Sequence, residues 1–177
     1  TIATSPPYSR VRTGQLVATV KIIPFAVSDA SLLKLKATAA ADRLRLDVYP
    51  FQPKRVGLIL SRLPGDTDKL LAKRQEAMAM RVNSLSGSLI HIAECSHRVD
   101  VMVEELYRAK KKKCDIILVF GASAIIDRND VIPASLTASG GTIVQLGMPV
   151  DPGNLLLLGS LDDASVIGVP SCAASIK

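Results

Sequence analysis

Residues 116–120 read Ile-Ile-Leu-Val-Phe, five bulky apolar residues in a row, and the run stops at Gly121-Ala122-Ser123. A short apolar run of this kind suits a buried strand. Small residues directly after it let the backbone turn tightly and keep it open to a ligand. The charged cluster Asp127-Arg128-Asn129-Asp130 comes next, and an amphipathic run starts at Val131. Strand, small-residue loop, charged cluster and helix start, in that order, form the usual geometry of an α/β ligand site.

The same alternation fills the chain from Arg55 onwards. Val56 to Leu60 and Ser88 to Ala93 read as strands. Leu63-Pro64-Gly65-Asp66-Thr67 is a loop able to cap a helix over 68–85, and helical spacing of Val99, Val103, Leu106 and Tyr107 marks a second helix over 98–112. A third helix begins at Asp130 and ends near Gly140-Gly141. Thr142 to Leu146 is a fourth strand. Leu155 to Gly159 and Ser165 to Val169 form a hairpin around Asp162-Asp163. Strands alternating with helices predict a mostly parallel sheet with right-handed crossovers. Ligands of such sheets sit at the carboxyl ends of the strands, which puts the loops after Leu60, Ala93, Phe120 and Val169 at one edge.

Before Pro53 the texture differs. Thr1 to Thr13 has no periodicity and reads as a linker or extended arm. Gln15 to Phe25 alternates and reads as a strand ended by Pro24. Asp29 reads as the N-cap of an Ala-rich helix reaching Ala41. Leu44 to Val48 reads as a further short strand. The chain starts at Thr1 and not at Met, and Lys177 follows directly on a loop, so it reads as a fragment of a longer protein.

An apolar share of 48% with only 3% aromatic residues implies an aliphatic core, which suits a layered α/β protein better than a β-sandwich. So few aromatics also argue against a base-stacking platform for single-stranded nucleic acid. No apolar run approaches the roughly 20 residues of a membrane helix. Cys95, Cys114 and Cys172 are far apart and form no CxxC pair, so a reducing cytoplasm is the default compartment. A net charge of +6 is compatible with an anionic ligand and equally with ordinary solubility.

Each candidate site has a plainer reading beside it. Gly121-Ala122-Ser123 exposes backbone N–H groups to a phosphate or pterin edge, or is a tight turn. Asp127 and Asp130 hold Mg²⁺ beside a phosphate, or cap the following helix. Neither a Walker A nor a GxGxxG pattern is present, so a P-loop or Rossmann dinucleotide site has no support. His97 falls on the ligand edge, yet a lone histidine is more often structural, and His91 reads as a mid-strand structural residue. Cys172 reads as a small packing residue, Met78 and Met80 as helix packing, and Lys110 to Lys113 as a solvated helix end.

Taken together, Arg55 to Ser175 resembles the molybdopterin-binding domain family shared by MoaB/MogA-type proteins, MoeA and gephyrin. Three ordered segments carry the resemblance: GASAIIDRNDVIP over 121–133, MPVDPGNLLLLG over 148–159 and IGVPSCAAS over 167–175, with Gly140-Gly141 after the helix. The resemblance implies an α/β three-layer sandwich with a mostly parallel sheet over 54–177, preceded by a strand-helix-strand appendage over 1–53. It implies that Gly121, Ala122, Ser123, Pro152, Gly153, Asn154, Pro170 and Ser171 contact molybdopterin. Asp130 and Asp127 would be the catalytic acids and would hold Mg²⁺, with a nucleotide as co-substrate. The exact forms of the first two segments resemble a bacterial subgroup fused to a cytidylyltransferase-like nucleotidyltransferase. This implies a cytoplasmic, homo-oligomeric binder of molybdopterin or its nucleotide derivative that works with a fused or partner nucleotidyltransferase and with neither nucleic acid nor membrane. Two other readings belong to the same resemblance: an adenylyltransferase or molybdate-insertion enzyme in its own right, and a non-catalytic scaffold. Ala122 stands at the family's second glycine, Asn129 is an extra residue before Asp130, Cys95-Ser96-His97 replaces an acidic residue, and Pro170-Ser171-Cys172-Ala173 replaces a PGNP loop. These departures bear on transfer chemistry more than on binding.

Overall fold

The computed structural model describes residues 2–21, 23–41 and 45–175. The chain divides into two compact units, Thr1–Tyr49 and Pro50–Lys177.

In the first unit, β1 (Ile2–Thr4) pairs antiparallel with β2 (Ala18–Val20), Ile2 opposite Val20. The stretch read as an unstructured arm thus supplies a strand, and β2 covers Ala18–Val20 of the strand expected over 15–25. Helix α1 spans Asp29–Ala41. Its N-cap is Ser28 and not Asp29: Ser28 Oγ accepts from the Ser31 N–H at 3.2 Å. That is the reach of a cap side chain to the third helical residue, and it leaves Asp29 in the first turn. Residues 45–48 form no strand. Leu44, also read as part of a strand there, lies outside the described residues.

The second unit is a three-layer α/β/α sandwich. Its elements in order are β3 (Arg55–Arg62), α2 (Asp68–Ser84), β4 (Ser88–Ser96), α3 (Val99–Lys111), β5 (Ile116–Phe120), α4 (Val131–Ala138), β6 (Thr142–Leu146), β7 (Leu157–Leu161) and β8 (Ala164–Val169), then a single 3₁₀ turn at Ser171–Ala174. The six-stranded sheet has the order β4-β3-β5-β8-β7-β6. β4, β3, β5 and β8 are parallel, β7 is antiparallel to both neighbours, and β6 therefore points the same way as β8. Alternation along consecutive positions explains the continuous apolar runs. Leu58, Ile59 and Leu60 are all at 0% exposure, because successive side chains enter opposite faces and both faces are covered.

One face carries α3 and α4 on Ile59, Ile117, Val119, Leu157 and Val166, with Met102, Leu106, Ile132 and Leu136 from the helices. The other carries α2 on Leu58, Leu60, Phe120 and Val169 through Leu71, Ala77 and Met78. Full burial of each such aliphatic side chain contributes roughly 1.5–3 kcal/mol. Thr67 caps α2, its Oγ1 accepting from the Leu70 N–H at 3.3 Å. At the opposite edge from the loops named above, Arg55 clamps the starts of β3 and β5 together. Its backbone N–H and its Nη2 donate to the two oxygens of Asp115 at 2.7 and 2.8 Å.

Three packing expectations need correction. Met78 is buried but Met80 is exposed, because they lie two apart and so 200° apart on the helix. The buried face of α3 is Met102, Glu105, Leu106 and Ala109, while Val99 and Tyr107 lie at the surface. Cys172 is exposed; Ala173 and Ala174 are the residues of that loop that pack on the core.

Candidate ligand-binding site

The strand directions bring all three sequence segments to one edge. Phe120 is the register partner of Val169, so Gly121 and Pro170 leave adjacent parallel strands side by side. Leu157 pairs with both Gly168 and Leu146, so the loop 147–156 joins β6 to β7 at the same level. Pro152, Gly153 and Asn154 thus stand on that edge, one to two strand spacings (roughly 5–10 Å) beyond β8. Gly153 has φ +112, a conformation open to glycine and strained for other residues. The Met148 N–H donates to the Asn154 carbonyl at 2.9 Å and closes the loop.

Gly121 is required for close approach. A Cβ there would stand 2.8 Å from both Ile132 Cδ1 and the Ser123 carbonyl oxygen. The loop after it is organised from both ends. At its start, the Ala122 N–H donates to Ser61 Oγ at 2.9 Å. That N–H is therefore engaged within the protein. Among the described residues, no hydrogen bond takes the N–H of Ser123 or Ala124, and both residues are exposed. At its end, Asp130 Oδ2 accepts from the Ile126 and Asp127 N–H groups at 2.7 and 2.8 Å. These bonds hold the Asp130 carboxyl below its ordinary range. The carboxylate folds back over the loop and makes no side-chain cap of α4, so the helix-capping reading does not describe its side chain. Asp127 Oδ1 accepts from the Asn129 N–H at 2.7 Å, a local turn. Helix α4 starts there without a side-chain cap, with Pro133 in the first turn, where a missing N–H costs nothing.

The structure adds residues that the sequence did not single out together. Ser61, at 0% exposure near the end of β3, places Oγ 2.8 Å from His97 Nδ1. His97 Nε2 is in turn 2.8 Å from Ser123 Oγ. Burial pushes the His97 imidazole below its ordinary value, with Asp130 and Asp66 pulling partly the other way, which favours the uncharged form. The order β4-β3-β5 explains the line-up: the three residues sit at or just past the ends of neighbouring parallel strands. The signal in the sequence is a polar residue at each of three successive strand ends, and it becomes legible only with the strand order in hand.

His97 also lines a cleft of about 400 Å³ with Arg62, Leu63, Pro64, Ser96 and Arg98. Both arginines are engaged, Arg62 with Asp68 at 3.1 Å and Arg98 with Asp100 at 2.6 Å. A second depression of about 420 Å³, among Glu104, Tyr107, Arg108 and Lys111, lies on α3 alone and is remote from the strand ends. Ser171 and Cys172 are exposed at the start of the 3₁₀ turn after β8. No group of three or more His, Cys, Asp or Glu residues is placed to hold a metal among the described residues. The donor set fits a Mg²⁺ carried in on a phosphate, since Asp130 and Asp127 each commit one oxygen to backbone N–H groups. It does not fit a protein-built cage. Among the described residues no helix is long and apolar enough to cross a membrane.

No family model matches the chain, and no curated protein does. Among solved structures, the chain is similar to a Corynebacterium diphtheriae chain described as a molybdenum cofactor biosynthesis protein. Identity is 21%, TM-score 0.46, and the match covers 68% of this chain and 84% of that one. It is also similar to the molybdopterin biosynthesis MoeA protein of Pyrococcus horikosii, with 18% identity and TM-score 0.45, over 78% of this chain. The chain spans only 35% of that protein's length. Likenesses at this level say nothing of ligand or reaction.

Proposed function

We propose that Pro50–Lys177 is a molybdopterin-binding domain acting in molybdenum cofactor biosynthesis. The observation that carries the reading is the convergence of its three molybdopterin-type segments. Gly121–Ser123, Pro152–Asn154 and Pro170–Ser171 all follow or join strand ends at one edge of the sheet. The N–H groups of Ser123 and Ala124 and the Ser123 hydroxyl receive the terminal phosphate of the pterin. The exposed loop at Ser171 and the Pro152–Asn154 turn wall the same edge. Asp130 keeps the phosphate loop in shape through its two backbone bonds, and with Asp127 it would hold a Mg²⁺ bound to the phosphate, which would offset negative charge there. The DRNDVIP and PVDPGN forms support the finer reading: the domain presents molybdopterin, or its nucleotide derivative, to a nucleotidyltransferase module in the same protein or a partner.

Calorimetry of the purified chain with molybdopterin tests the binding. Heat with one-to-one stoichiometry is expected, and its absence would overturn the reading. Asp130→Ala, which removes the acceptor of two loop N–H groups, is expected to weaken binding at least about tenfold. Asp130→Asn, which can still accept both bonds, isolates the effect of charge.

A further inference from the structure

We infer that His97 is a positioning residue: it is held as the Nε2–H tautomer by Ser61 and turns the Ser123 hydroxyl into a hydrogen-bond donor aimed at a phosphate oxygen of the ligand. The inference rests on the molybdopterin reading only for the identity of the phosphate bearer.

Ser61 is at 0% exposure, so no water serves its hydroxyl. Its Oγ has two polar neighbours. One, the Ala122 N–H, can only donate, so Oγ accepts it. The hydroxyl hydrogen of Ser61 then has one acceptor within reach, His97 Nδ1 at 2.8 Å. If Nδ1 carried a proton, that hydrogen would be stranded in a place water does not enter, and buried polar groups are seldom left so. Nδ1 is therefore the acceptor and Nε2 carries the proton. Nε2–H donates to Ser123 Oγ at 2.8 Å. With its oxygen already accepting, the exposed Ser123 hydroxyl is directed to donate outward. Protonating Nδ1 to form the imidazolium would strand the same Ser61 hydrogen, and burial opposes the charged form as well.

Two consequences follow for chemistry. His97 is not set up as a general base toward Ser123, because the nitrogen facing Ser123 is the protonated one. Ser123 is a donor and not a nucleophile, and its hydroxyl stands next to the uncommitted N–H groups of Ser123 and Ala124. Three adjacent donors select an oxyanion with several oxygens, a phosphate monoester above all.

Imidazole ¹⁵N NMR of the full chain at pH 7 reads the tautomer directly. The chain holds only two histidines, so a His97 variant assigns the signals by difference. The Nε2–H pattern is expected for His97, and an Nδ1–H or imidazolium pattern would overturn the inference. Inorganic phosphate is the probe for the donor group. It is expected to shift the Ser123 and Ala124 amide signals. Two substitutions separate the halves of the relay: His97→Gln places an amide NH₂ near Nε2, and His97→Asn places an amide oxygen near Nδ1. Phosphate affinity is expected to stay within about twofold in His97→Gln and to fall about tenfold in His97→Asn, while Asn retains the melting temperature better. A purely structural histidine gives equal phosphate affinity in both variants, and that result would overturn the inference. Molybdopterin binding with no response to phosphate would overturn this inference and leave the proposed function standing. Phosphate binding with no molybdopterin heat would do the reverse.

Discussion

The guanidinium carbon of Arg74 lies 4.9 Å from the centre of the Phe120 ring. Arg74 is 9% exposed, and its Nη1 has no hydrogen-bond partner among the described residues. Phe120 is the last residue of β5, so this contact underpins the start of the Gly121 loop. A cation over an aromatic face is worth about 0.5–2 kcal/mol. Against this stands a buried charge with one orphaned nitrogen, and apolar replacements of such groups are often neutral or stabilising by about 1–4 kcal/mol. Arg74→Met is accordingly expected to keep or raise the urea midpoint. A drop of more than about 1 kcal/mol would show that the guanidinium has a stabilising partner in solution.

Gly121→Ala tests the steric floor of the loop. One of the two close contacts of the added Cβ is backbone, the Ser123 carbonyl oxygen at 2.8 Å, and cannot swing aside as Ile132 Cδ1 can. The loop must shift, and overpacking of this kind costs about 1–3 kcal/mol. Phosphate or molybdopterin affinity should fall together with stability, since the moved residue is Ser123. Unchanged stability by chemical denaturation would contradict the close approach.

Much of the second unit was legible because apolar runs there end abruptly. Ile116–Phe120 lies between Asp115 and Gly121, and Thr142–Leu146 follows Gly140-Gly141; both strands have the bounds read from the sequence. β3 and β4 run on past their apolar stretches, to Arg62 and Ser96, because parallel pairing continues through Leu60↔Glu94, Ser61↔Cys95 and Arg62↔Ser96. Pairing is indifferent to side-chain polarity at a strand end, so hydropathy alone stops short there. Ser61 lies in one of those unread extensions and His97 just beyond the other, which is why the Ser61–His97–Ser123 line escaped a residue-by-residue reading. The buried face of α3 was misread for a different reason. Glu105 is buried because Arg108 pairs with it from the next turn, and periodicity gives a charged residue no credit for a partner. In the first unit, β1 has three residues, too short for alternation to declare it, whereas β2 lies inside the alternating stretch over 15–25.

Thiol reactivity should single out Cys172. Cys95 is buried, and its thiol is pushed up to about 11, by burial first and by Glu105 second. Cys114 is buried and likewise raised by burial. Cys172 is exposed in the turn after β8. Titration of the native chain with an aromatic disulfide at pH 8 is expected to show one fast thiol, and all three only in denaturant, with Cys172→Ser abolishing the fast phase. Two fast thiols in the native chain would mean that the α3 face of the sheet opens. Protection of the fast thiol by molybdopterin would in addition place the ligand against the Ser171–Ala174 turn.

Mild acid should destabilise the second unit well above the pH at which carboxylates matter. Burial lowers both histidines from the ordinary value of 6.5. At His91 the charges of Lys112 and Arg108 add to burial and Glu105 opposes them. At His97 Asp130 and Asp66 oppose it. The unfolded chain therefore binds protons near pH 6 that the folded chain refuses. Unfolding takes up protons there, and stability that is fully present above about pH 6.5 is lost as pH falls through the lowered folded-state values. Urea midpoints between pH 7.5 and 5 are expected to fall, with an uptake of at most about two protons per molecule unfolded. His97→Asn should make that slope shallower, since Asn does not titrate. The Arg55–Asp115 pair adds nothing in this window. Asp115 is held down to about 2, by its bonds from Arg55 first, so its contribution disappears only at much lower pH. A flat profile from pH 7.5 to 5 would mean that neither imidazole is shielded from solvent as the structure has it.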